Sequence, residues 1–422
     1  MKQKKIPLSL QIFLALGLGI AVGMAFTGNP TFAVSYIKPF GTIFLNLLKF
    51  VVVPIVFFSI LSGIISMSDI RKVGSIGVKT LVYYTCTTAG AIVLAMFLAN
   101  LFKGFFTVID PTGVTFEPGE TASFMDTLVD IFPSNIIAPF ANASMLQVIV
   151  AALLFGFGIQ MNGGPETKTA QVLEDITGCI MKTVKLITYY APIGFFGFFA
   201  NLVSTYGPEL VADYSRTLII YYVMSFVYMF VFFPIYAQFG GGKGGAKIMF
   251  SKLFRPAAVS FGTCSSVATI PTNMEVADET GISKDVTDIV LPMGATMHMD
   301  GSAMSAIIKV AFLFGVFGLD FTTEKAILAI IVAVFSSVAM SGIPGGGGTG
   351  ELVLCSIFFP DHLAVAFPIA LALGNLVDPP ATMVNSAGDY VVSFIVSRYV
   401  DGKDWLQKQL AKKVEADASE AK

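Results

Sequence analysis

Residues 362–400, HLAVAFPIALALGNLVDPPATMVNSAGDYVVSFIVSRYV, form a long apolar run that carries polar side chains in its middle. The run is longer than the about 20 residues that a helix needs to cross a membrane. Asp378, Thr382, Asn385 and Asp389 follow one another at helical spacing. These positions share one face of a helix. The segment is therefore predicted to be a membrane-spanning helix with a polar stripe along one side.

The two carboxylates of this stripe, Asp378 and Asp389, need partners that the neighbouring sequence does not supply. A charged side chain at the centre of a bilayer costs about 2.5–3.5 kcal/mol or more. No lysine or arginine precedes Arg398 in the run, and none occurs in residues 286–308. We therefore expect the counter-charge to come from outside the chain, as a substrate ammonium group or as metal ions. The alternative is that the acids share protons or bond to the backbone.

The whole chain has the composition of an integral membrane protein. Of its 422 residues, 55% are hydrophobic and only 13% are charged, and the mean hydropathy is +0.77. A soluble protein needs more charged residues to cover its surface. The predicted fold class is thus an all-α integral membrane protein with eight transmembrane helices. Apolar runs place them near residues 7–26, 37–65, 78–102, 146–161, 180–203, 218–239, 286–317 and 362–400.

Charge placement predicts how these helices are oriented. Basic loop residues fall on the side of the basic N-terminus: Arg71, Lys72, Lys168, Lys243, Lys247, Lys252, Arg255, Arg398 and Lys403. The other side receives the acidic loops at residues 110–130 and 209–213. Because cytoplasmic loops are enriched in lysine and arginine, both termini are expected in the cytoplasm. The chain is predicted to be a multi-pass protein of the cell membrane.

Two polar, flexible segments interrupt the apolar sequence in the last third of the chain. They are CSSVATIP at residues 264–271 and SGIPGGGG at residues 341–348. Non-helical backbone at membrane depth persists only where it is buried in protein or lines a wet cavity. Each segment is predicted to be the tip of a re-entrant helical hairpin, the first able to bind a carboxylate and the second able to act as a gate. An ordinary loop is the alternative for each.

A third polar segment, Met297-His298-Met299-Asp300-Gly301-Ser302, has the composition of a cation site. Gly301 allows the helix to unwind, which would free carbonyls beside Asp300. Carbonyl and carboxylate oxygens suit a sodium ion. Tyr84, Thr87 and Thr88 form a hydroxyl cluster on one face of an early helix. For that cluster, packing between helices is the alternative function.

Other classes of function find little support in the residues. The two histidines, His298 and His362, form no nucleophile and base pair with a suggestive spacing, so an enzyme is not expected. The four cysteines lie in or beside apolar segments without paired spacing, which argues against disulfides and a zinc site. No nucleic-acid partner is expected. A passive anion channel remains an alternative to a transporter.

Together these residues resemble the dicarboxylate/amino acid:cation symporter family, which includes archaeal aspartate transporters and mammalian glutamate and neutral amino acid carriers. The resemblance covers essentially the whole chain. Its most specific pieces are Ser265-Ser266, Met299-Asp300-Gly301-Ser302 in place of the family's Asn-Met-Asp-Gly-Thr, Gly342-Ile343-Pro344-Gly345, Thr382-Met383-Val384-Asn385, Asp378 and Gly388-Asp389.

The resemblance implies a homotrimer in which a mobile transport domain carries the site across the membrane like an elevator. The implied boundaries are residues 1–69 (scaffold helices 1 and 2), 70–104 (transport-domain helix 3), 105–205 (scaffold helices 4 and 5), 206–400 (transport domain with helices 6–8 and hairpins near 245–280 and 325–360) and 401–422 (a polar cytoplasmic tail).

The same resemblance assigns roles to individual residues. Asp378 would bind the substrate α-amino group, Asn385 and the backbone around Ser266 its carboxylate, and Ser302 and Thr382 its side chain. Ser265, Ile343, Gly347 and Ala381 complete the implied substrate site. One implied sodium site has Asp389 with carbonyls of Gly294 and Asn385. A second has Tyr84, Thr87, Thr88 and Asp300, with His298 beside it. A third has carbonyls of Thr296, Met299, Ser337 and Val338.

Several departures from the family pattern guide the predicted substrate. Acidic amino acid carriers of the family place an arginine where this chain has Ala381 or Cys264, so a small neutral amino acid such as serine, threonine, alanine or cysteine is expected. Asp378 argues against a dicarboxylate, and Asp389 favours co-transported sodium. The alternatives are an acidic amino acid or dicarboxylate substrate, and proton coupling.

Two further departures affect the site itself. His298 replaces an asparagine of the family, where a neutral imidazole would substitute for the amide but an imidazolium would repel a sodium ion. Pro379 and Pro380 follow Asp378 directly. They are predicted to free backbone carbonyls one turn earlier, which either adds ligands for an ammonium group or kinks the helix.

Overall fold

A computed structural model describes most of the chain. The described residues are 8–27, 29–66, 75–102, 129, 132–142, 144–207, 209–339 and 347–411. Within them the chain forms helices and no strand, so the predicted all-α class is confirmed. The predicted acidic loop at residues 110–130 lies almost entirely outside the described residues, as do residues 341–346 of the segment SGIPGGGG and the end of the tail.

The described part of the chain forms sixteen α-helices. They are α1 Leu8–Ala25, α2 Lys38–Ser66, α3 Ser75–Phe102, α4 Ile137–Ala141, α5 Met145–Met161, α6 Lys168–Thr188, α7 Ala191–Tyr206, α8 Glu209–Val227, α9 Phe233–Gly241, α10 Gly245–Thr263, α11 Ser266–Thr280, α12 Lys284–Met297, α13 Asp300–Val316, α14 Thr323–Ala339, α15 Gly347–Phe358 and α16 Leu363–Val400. A π-helical turn, Ala33–Ile37, leads into α2, and another, Tyr228–Phe232, joins α8 to α9.

By length and composition alone, three segments of the described part could cross a membrane. They are Ser75–Ala99, Tyr214–Gly241 and the broken pair Lys284–Val316, with a bent pair formed by α6 and α7 as a possible fourth. The predicted total of eight transmembrane helices stays a prediction.

The first polar segment of the last third is the turn of a helical hairpin, defined as hairpin 1 (α10 and α11). Only Cys264 and Ser265 are non-helical there, and Cys264 has a positive φ of 51°. The prediction of a non-helical stretch up to Pro271 was therefore too long. Ser265 ends the break because its Oγ accepts a hydrogen bond from Ala268 N at 3.2 Å, which caps α11. Pro271 lies inside α11, and Pro256 lies inside α10.

Ion pairs hold the two arms of hairpin 1 together. Lys252 and Arg255 on α10 both pair with Glu279 on α11, and Arg255 also lies 3.4 Å from Glu275. The paired positions are almost symmetric about Cys264, which is the pattern of a chain that folds back on itself. Hydrogen bonds from Arg255 and Lys252 lower the pKa of Glu279 to about 2. Glu279 therefore loses its charge only in strong acid, and its ion pairs with Lys252 and Arg255 are intact at neutral pH.

The predicted apolar run at residues 286–317 is not one helix. It is broken at His298 and Met299, whose backbones leave the helical region before α13 begins. The prediction placed the unwinding at Gly301, but Gly301 lies in the first turn of α13. Glycine is required there for a different reason: a Cβ at this position would lie 2.8 Å from Ala381 Cα and 2.9 Å from its carbonyl carbon. The break thus lets α13 begin in direct backbone contact with α16.

Packing divides the described helices into two groups. In the first group, α1 packs against α7, and α2 packs against α5, α6 and α7. In the second group, α16 lies at the centre and contacts α8 to α13 and α15, while α3 packs against α13. The groups meet mainly where α14 and α15 contact α2, where α15 contacts α5 and where α8 contacts α7. The division into a fixed scaffold and a moving transport domain stays a prediction.

Candidate functional site

The polar stripe of α16 faces the broken end of α13 and the turn of hairpin 1. Asn385 provides the contact to α13: its Oδ1 accepts hydrogen bonds from Gly301 N at 2.7 Å and Ser302 N at 3.3 Å. Its Nδ2 donates to Ser302 Oγ at 2.9 Å. The amide therefore holds the first turn of α13 against α16, and it fixes Ser302 beside the stripe.

Asp378 is the half-buried carboxylate at the N-terminal end of this stripe. Its Oδ1 accepts a hydrogen bond from Thr382 Oγ1 at 3.0 Å, and Cys264 of hairpin 1 lies near it. In the part of the chain that the structure describes, no lysine, arginine or histidine forms an ion pair with it. The predicted lack of an internal counter-charge therefore holds for the described surroundings of Asp378.

The structure describes the positions of most other predicted substrate residues but not of all of them. Ser266 is buried at the start of α11, directly after the capping residue Ser265. Gly347 is the first residue of α15, and Ile343 lies outside the described residues. Ala381 is buried beneath Gly301.

Asp300 lies on the cation side of the site, where hydroxyl groups and an imidazole surround it. Its Oδ1 accepts from Thr88 Oγ1 at 2.6 Å and from Thr87 Oγ1 at 3.4 Å. Its Oδ2 accepts from Tyr228 OH at 2.8 Å. Of the hydroxyl cluster predicted in the early helix, Thr87 and Thr88 thus contact this carboxylate, whereas Tyr84 donates to Val290 O. Tyr228 was missed because nothing in its apolar surroundings distinguished it from a packing residue.

His298 lies between the two buried carboxylates of the cation side. Its Nε2 is 3.1 Å from Asp300 Oδ2, and its Nδ1 is 2.9 Å from Asp389 Oδ1. The ring of Tyr84 stacks on the imidazole with centroids 4.3 Å apart, and the imidazole is 1% exposed. His298 therefore bridges the carboxylates of two implied sodium sites, a role that the sequence did not predict. The expectation that Asp389 would find its partner only outside the chain was wrong.

One oxygen of this cluster remains available for a cation. Asp389 Oδ2 is buried and has no hydrogen-bond partner among the described residues. Gly294 lies against the Asp389 carboxylate and the Tyr84 hydroxyl, and that hydroxyl donates to Val290 O at 2.7 Å. Carboxylate and hydroxyl oxygens are suitable ligands for a transported sodium ion. The described residues contain no group of three His, Cys, Asp or Glu side chains suited to a metal ion, so a sodium ion here would rely on hydroxyl and carbonyl oxygens.

No contact among the described residues brings the members of the third implied sodium site together. Thr296 has an exposed side chain whose Oγ1 donates to Met293 O at 3.1 Å. The carbonyl of Met299 accepts from Ala303 N at 2.8 Å inside α13. Ser337 and Val338 lie in the last turn of α14. The third site stays a prediction.

A buried ion pair near the stripe was also missed. Lys309 Nζ on α13 bonds to Glu351 Oε1 on α15, and the two side chains are 3% and 0% exposed. Lys309 comes directly after residues 286–308, which contain no lysine or arginine. It is seven residues after Ser302, a spacing that places both on one face of α13. Gly374 of α16 lies against Glu351, because a Cβ there would be 2.8 Å from Glu351 Cδ.

Known proteins with similar sequences are membrane transporters. A family model described as the sodium:dicarboxylate symporter family matches residues 8–399. The chain is 29% identical to a proton/sodium-glutamate symport protein of Bacillus caldotenax, over 94% of this chain and 95% of the relative. It is 26% identical to a C4-dicarboxylate transport protein of Rhizobium leguminosarum, over 95% of this chain and 90% of the relative. A C4-dicarboxylate transport protein of Bacillus subtilis is 27% identical over 93% of each chain.

The family model covers nearly the whole chain, including all the broken helices that form the site. The resemblance predicted from the motifs is thereby confirmed. On these grounds the chain belongs to the sodium:dicarboxylate symporter family of membrane transporters.

Proposed function

We propose that this chain is a sodium-coupled symporter that carries an acidic amino acid across the cell membrane. The observation that carries the proposal is Asp378, a half-buried carboxylate at the junction of α16 and hairpin 1 without a cationic partner among the described residues. A carboxylate in this state binds an ammonium group strongly because it otherwise lacks compensation for its burial. An amino acid supplies that ammonium group, whereas a plain dicarboxylate does not.

The relatives support the inference that the substrate has an acidic side chain. Those named above are described as transporters of glutamate and of C4-dicarboxylates. They favour the acidic alternative over the small neutral amino acid that the sequence alone predicts. Since glutamate has both an ammonium group and a second carboxylate, it fits both Asp378 and the relatives.

A small neutral amino acid is the second candidate, for one specific reason. Ala381 is buried under the first turn of α13 and offers no guanidinium group. Lys309, the buried base of α13, already pairs with Glu351. A second substrate carboxylate would have to share Lys309 or find a base outside the described residues.

Sodium is the proposed coupling ion. The support is the buried, unpartnered Oδ2 of Asp389, together with the hydroxyl groups of Tyr84, Thr87 and Thr88 nearby. Proton coupling is the alternative, and the glutamate relative carries both ions in its description. Elevator movement and a homotrimer belong to the same proposal. The separate packing of the two helix groups supports the movement.

The test is uptake into proteoliposomes that contain the full chain. Radiolabelled L-glutamate, L-aspartate, succinate and L-serine are supplied with a sodium gradient, a proton gradient or neither. We expect saturable uptake of glutamate or aspartate that requires sodium and shows counterflow. Preference for serine would replace the acidic substrate by the neutral one, and preference for succinate would remove the role of Asp378. Unsaturable flux without counterflow would indicate a channel.

The role of Asp378 is tested in the same assay. Asp378→Asn should lower uptake at low substrate concentration about a hundredfold, because a buried charged partner of the ammonium group is lost. Asp285→Asn, an exposed acid in the first turn of α12, is the matched control and should behave as the unchanged chain. Equal uptake by Asp378→Asn and the control would contradict the proposal.

A further inference from the structure

Two consecutive prolines remove backbone donors from the turn of α16 that carries Asp378. In an α-helix, the N–H of each residue bonds to the carbonyl four residues earlier. Pro380 has no N–H, so the carbonyl of Leu376 loses its usual partner. The helix nevertheless continues without interruption from Leu363 to Val400. Another donor is therefore needed, because an unpaired carbonyl in a poorly hydrated interior is costly.

That donor comes from a different helix. The hydroxyl of Tyr222 on α8 donates to Leu376 O at 3.0 Å. The same tyrosine ring makes an edge contact with Phe261 of hairpin 1, at 6.4 Å between centroids. Tyr222 thus touches both elements that contribute to the surroundings of Asp378: the α16 turn that bears it and the hairpin arm that ends at Cys264.

We propose that Tyr222 is a positioning residue for Asp378, and that its hydroxyl replaces the N–H that Pro380 lacks. Asp378 lies at the middle of the turn from Leu376 to Pro380. The bond from Tyr222 closes this turn from outside and sets the direction of the carboxylate toward Thr382 and hairpin 1. Tyr222 does not touch the substrate; it acts through the backbone. The inference rests on the proposed function only in assigning the substrate ammonium group to Asp378.

A neighbouring tyrosine provides a matched comparison. The hydroxyl of Tyr214, also on α8, donates to Ile369 O on α16 at 3.0 Å. The residue four positions after Ile369 is Leu373, which keeps its N–H. The Tyr214 bond is therefore additional to the helix's own bond. The Tyr222 bond takes the place of a missing one.

The test is a cycle of four chains: unchanged, Tyr222→Phe, Pro380→Ala, and the double variant. Radiolabelled L-glutamate uptake into proteoliposomes gives KM and the maximal rate. Tyr222→Phe should raise KM about tenfold and change the maximal rate by less than about twofold, because the Leu376 carbonyl loses the donor that Tyr222 supplies. Pro380→Ala restores the backbone donor, so the double variant should return KM to within about twofold of Pro380→Ala alone. Tyr214→Phe should leave KM unchanged.

Thermal unfolding of the four detergent-solubilised chains is a second readout that does not need transport. Tyr222→Phe should lower the unfolding midpoint, and the double variant should recover it. If no probe is transported by the unchanged chain, the proposed function fails while this cycle still tests the bond. If Tyr222→Phe does not fold, rescue by Pro380→Ala supports the proposal and absence of rescue overturns it. Equal effects of Tyr222→Phe with and without Pro380 overturn it as well, as does an equal effect of Tyr214→Phe.

Discussion

At the residue scale, His298 decides how much of the buried negative charge is available to a cation. Its ring contacts Asp300 through one nitrogen and Asp389 through the other. Each contact takes a carboxylate oxygen that would otherwise be a ligand. The imidazole is also held by stacking on Tyr84, so it cannot easily turn away.

Replacement of His298 by asparagine should therefore strengthen sodium binding. The shorter amide cannot span both carboxylates, so Asp300 Oδ2 and Asp389 Oδ1 become available. We expect the apparent sodium affinity in the uptake assay to rise about tenfold, the scale on which residues around metal ligands act. His362→Asn, in the short turn before α16, is the control. A weaker or unchanged sodium dependence of His298→Asn would contradict this role.

Much of the site at this scale was readable from spacing within single segments. The one-face pattern of Asp378, Thr382, Asn385 and Asp389 predicted a shared stripe, and Thr382 does bond to Asp378. Contacts between segments were not readable. The bonds of Tyr228 to Asp300 and of His298 to Asp389 join residues 72 and 91 positions apart. Nothing local in the sequence records such pairs.

At the element scale, the buried pair of Lys309 and Glu351 joins α13 to α15. Burial removes both charges from water, and the attraction between them only roughly repays that cost. Glu351 Oε2 finds no hydrogen-bond partner among the described residues, so the pair is incompletely compensated. The contact is therefore specific in geometry but adds little net stability.

Single and double replacements should differ in how much they change the free energy of unfolding. Lys309→Met leaves the Glu351 carboxylate buried and unpaired, which should lower the free energy of unfolding by about 3–5 kcal/mol. The double variant Lys309→Met, Glu351→Leu should return to within about 1 kcal/mol of the unchanged chain or exceed it. Reversible unfolding in mixed detergent micelles measures both values.

The half-buried pair of Lys252 and Glu279 in hairpin 1, which keeps contact with solvent, is the control for this experiment. Lys252→Met also removes a partner of a glutamate, but Glu279 keeps Arg255 and contact with solvent. Exposed ion pairs contribute little, so this variant should unfold almost as the unchanged chain does. Equal losses for Lys252→Met and Lys309→Met would show that burial is not the cause.

Helix breaks were predicted with mixed success, and the reason is physical. The break at Cys264 and Ser265 was anticipated because small hydroxyl-bearing residues cap helices locally. The break at His298 was placed three residues late because Gly301 suggested local flexibility, whereas its lack of a side chain serves the contact with Ala381. The prolines of α16 do not break the helix, and at Pro380 a tyrosine from α8 donates to the carbonyl that lacks its usual partner.

At the scale of the whole molecule, the two helix groups meet at a loosely filled boundary. A cavity of about 60 Å³ lies there, lined by Leu16, Ile20, Leu202, Leu218 and Leu376 among others. Its walls come from α1 and α7 on one side and from α8 and α16 on the other. Close packing resists sliding, since well-packed surfaces interlock. A gap lined by apolar side chains is suited to a surface that moves.

Filling this gap should slow the proposed movement without affecting substrate binding. Leu202→Trp adds bulk where α7 faces α8 and α16, and overpacking forces neighbouring side chains out of place. We expect the maximal uptake rate to fall about tenfold while equilibrium binding of L-glutamate to the solubilised chain is unchanged. Leu14→Trp, whose position on α1 is 59% exposed, is the control. Parallel loss of binding would mean that the cavity belongs to the folded core rather than to a moving boundary.

The organisation at this scale was the least readable from the sequence. Composition and hydropathy predicted a helical membrane protein, and the motifs predicted the family. Which helices pack together depends on side chains far apart in the chain, as with Gly301 against Ala381 or Gly374 against Glu351.

The tyrosines that join the helices share a property with a consequence for how the sequence can change. Tyr84, Tyr214, Tyr221 and Tyr222 each donate to a backbone carbonyl of another helix: those of Val290, Ile369, Gly301 and Leu376. Every residue has a backbone carbonyl, so the residue at an accepting position can change while the hydrogen bond is kept. Only the donors must stay phenolic. Such an architecture can persist while most of its residues change, and this chain is 26–29% identical to the relatives named above.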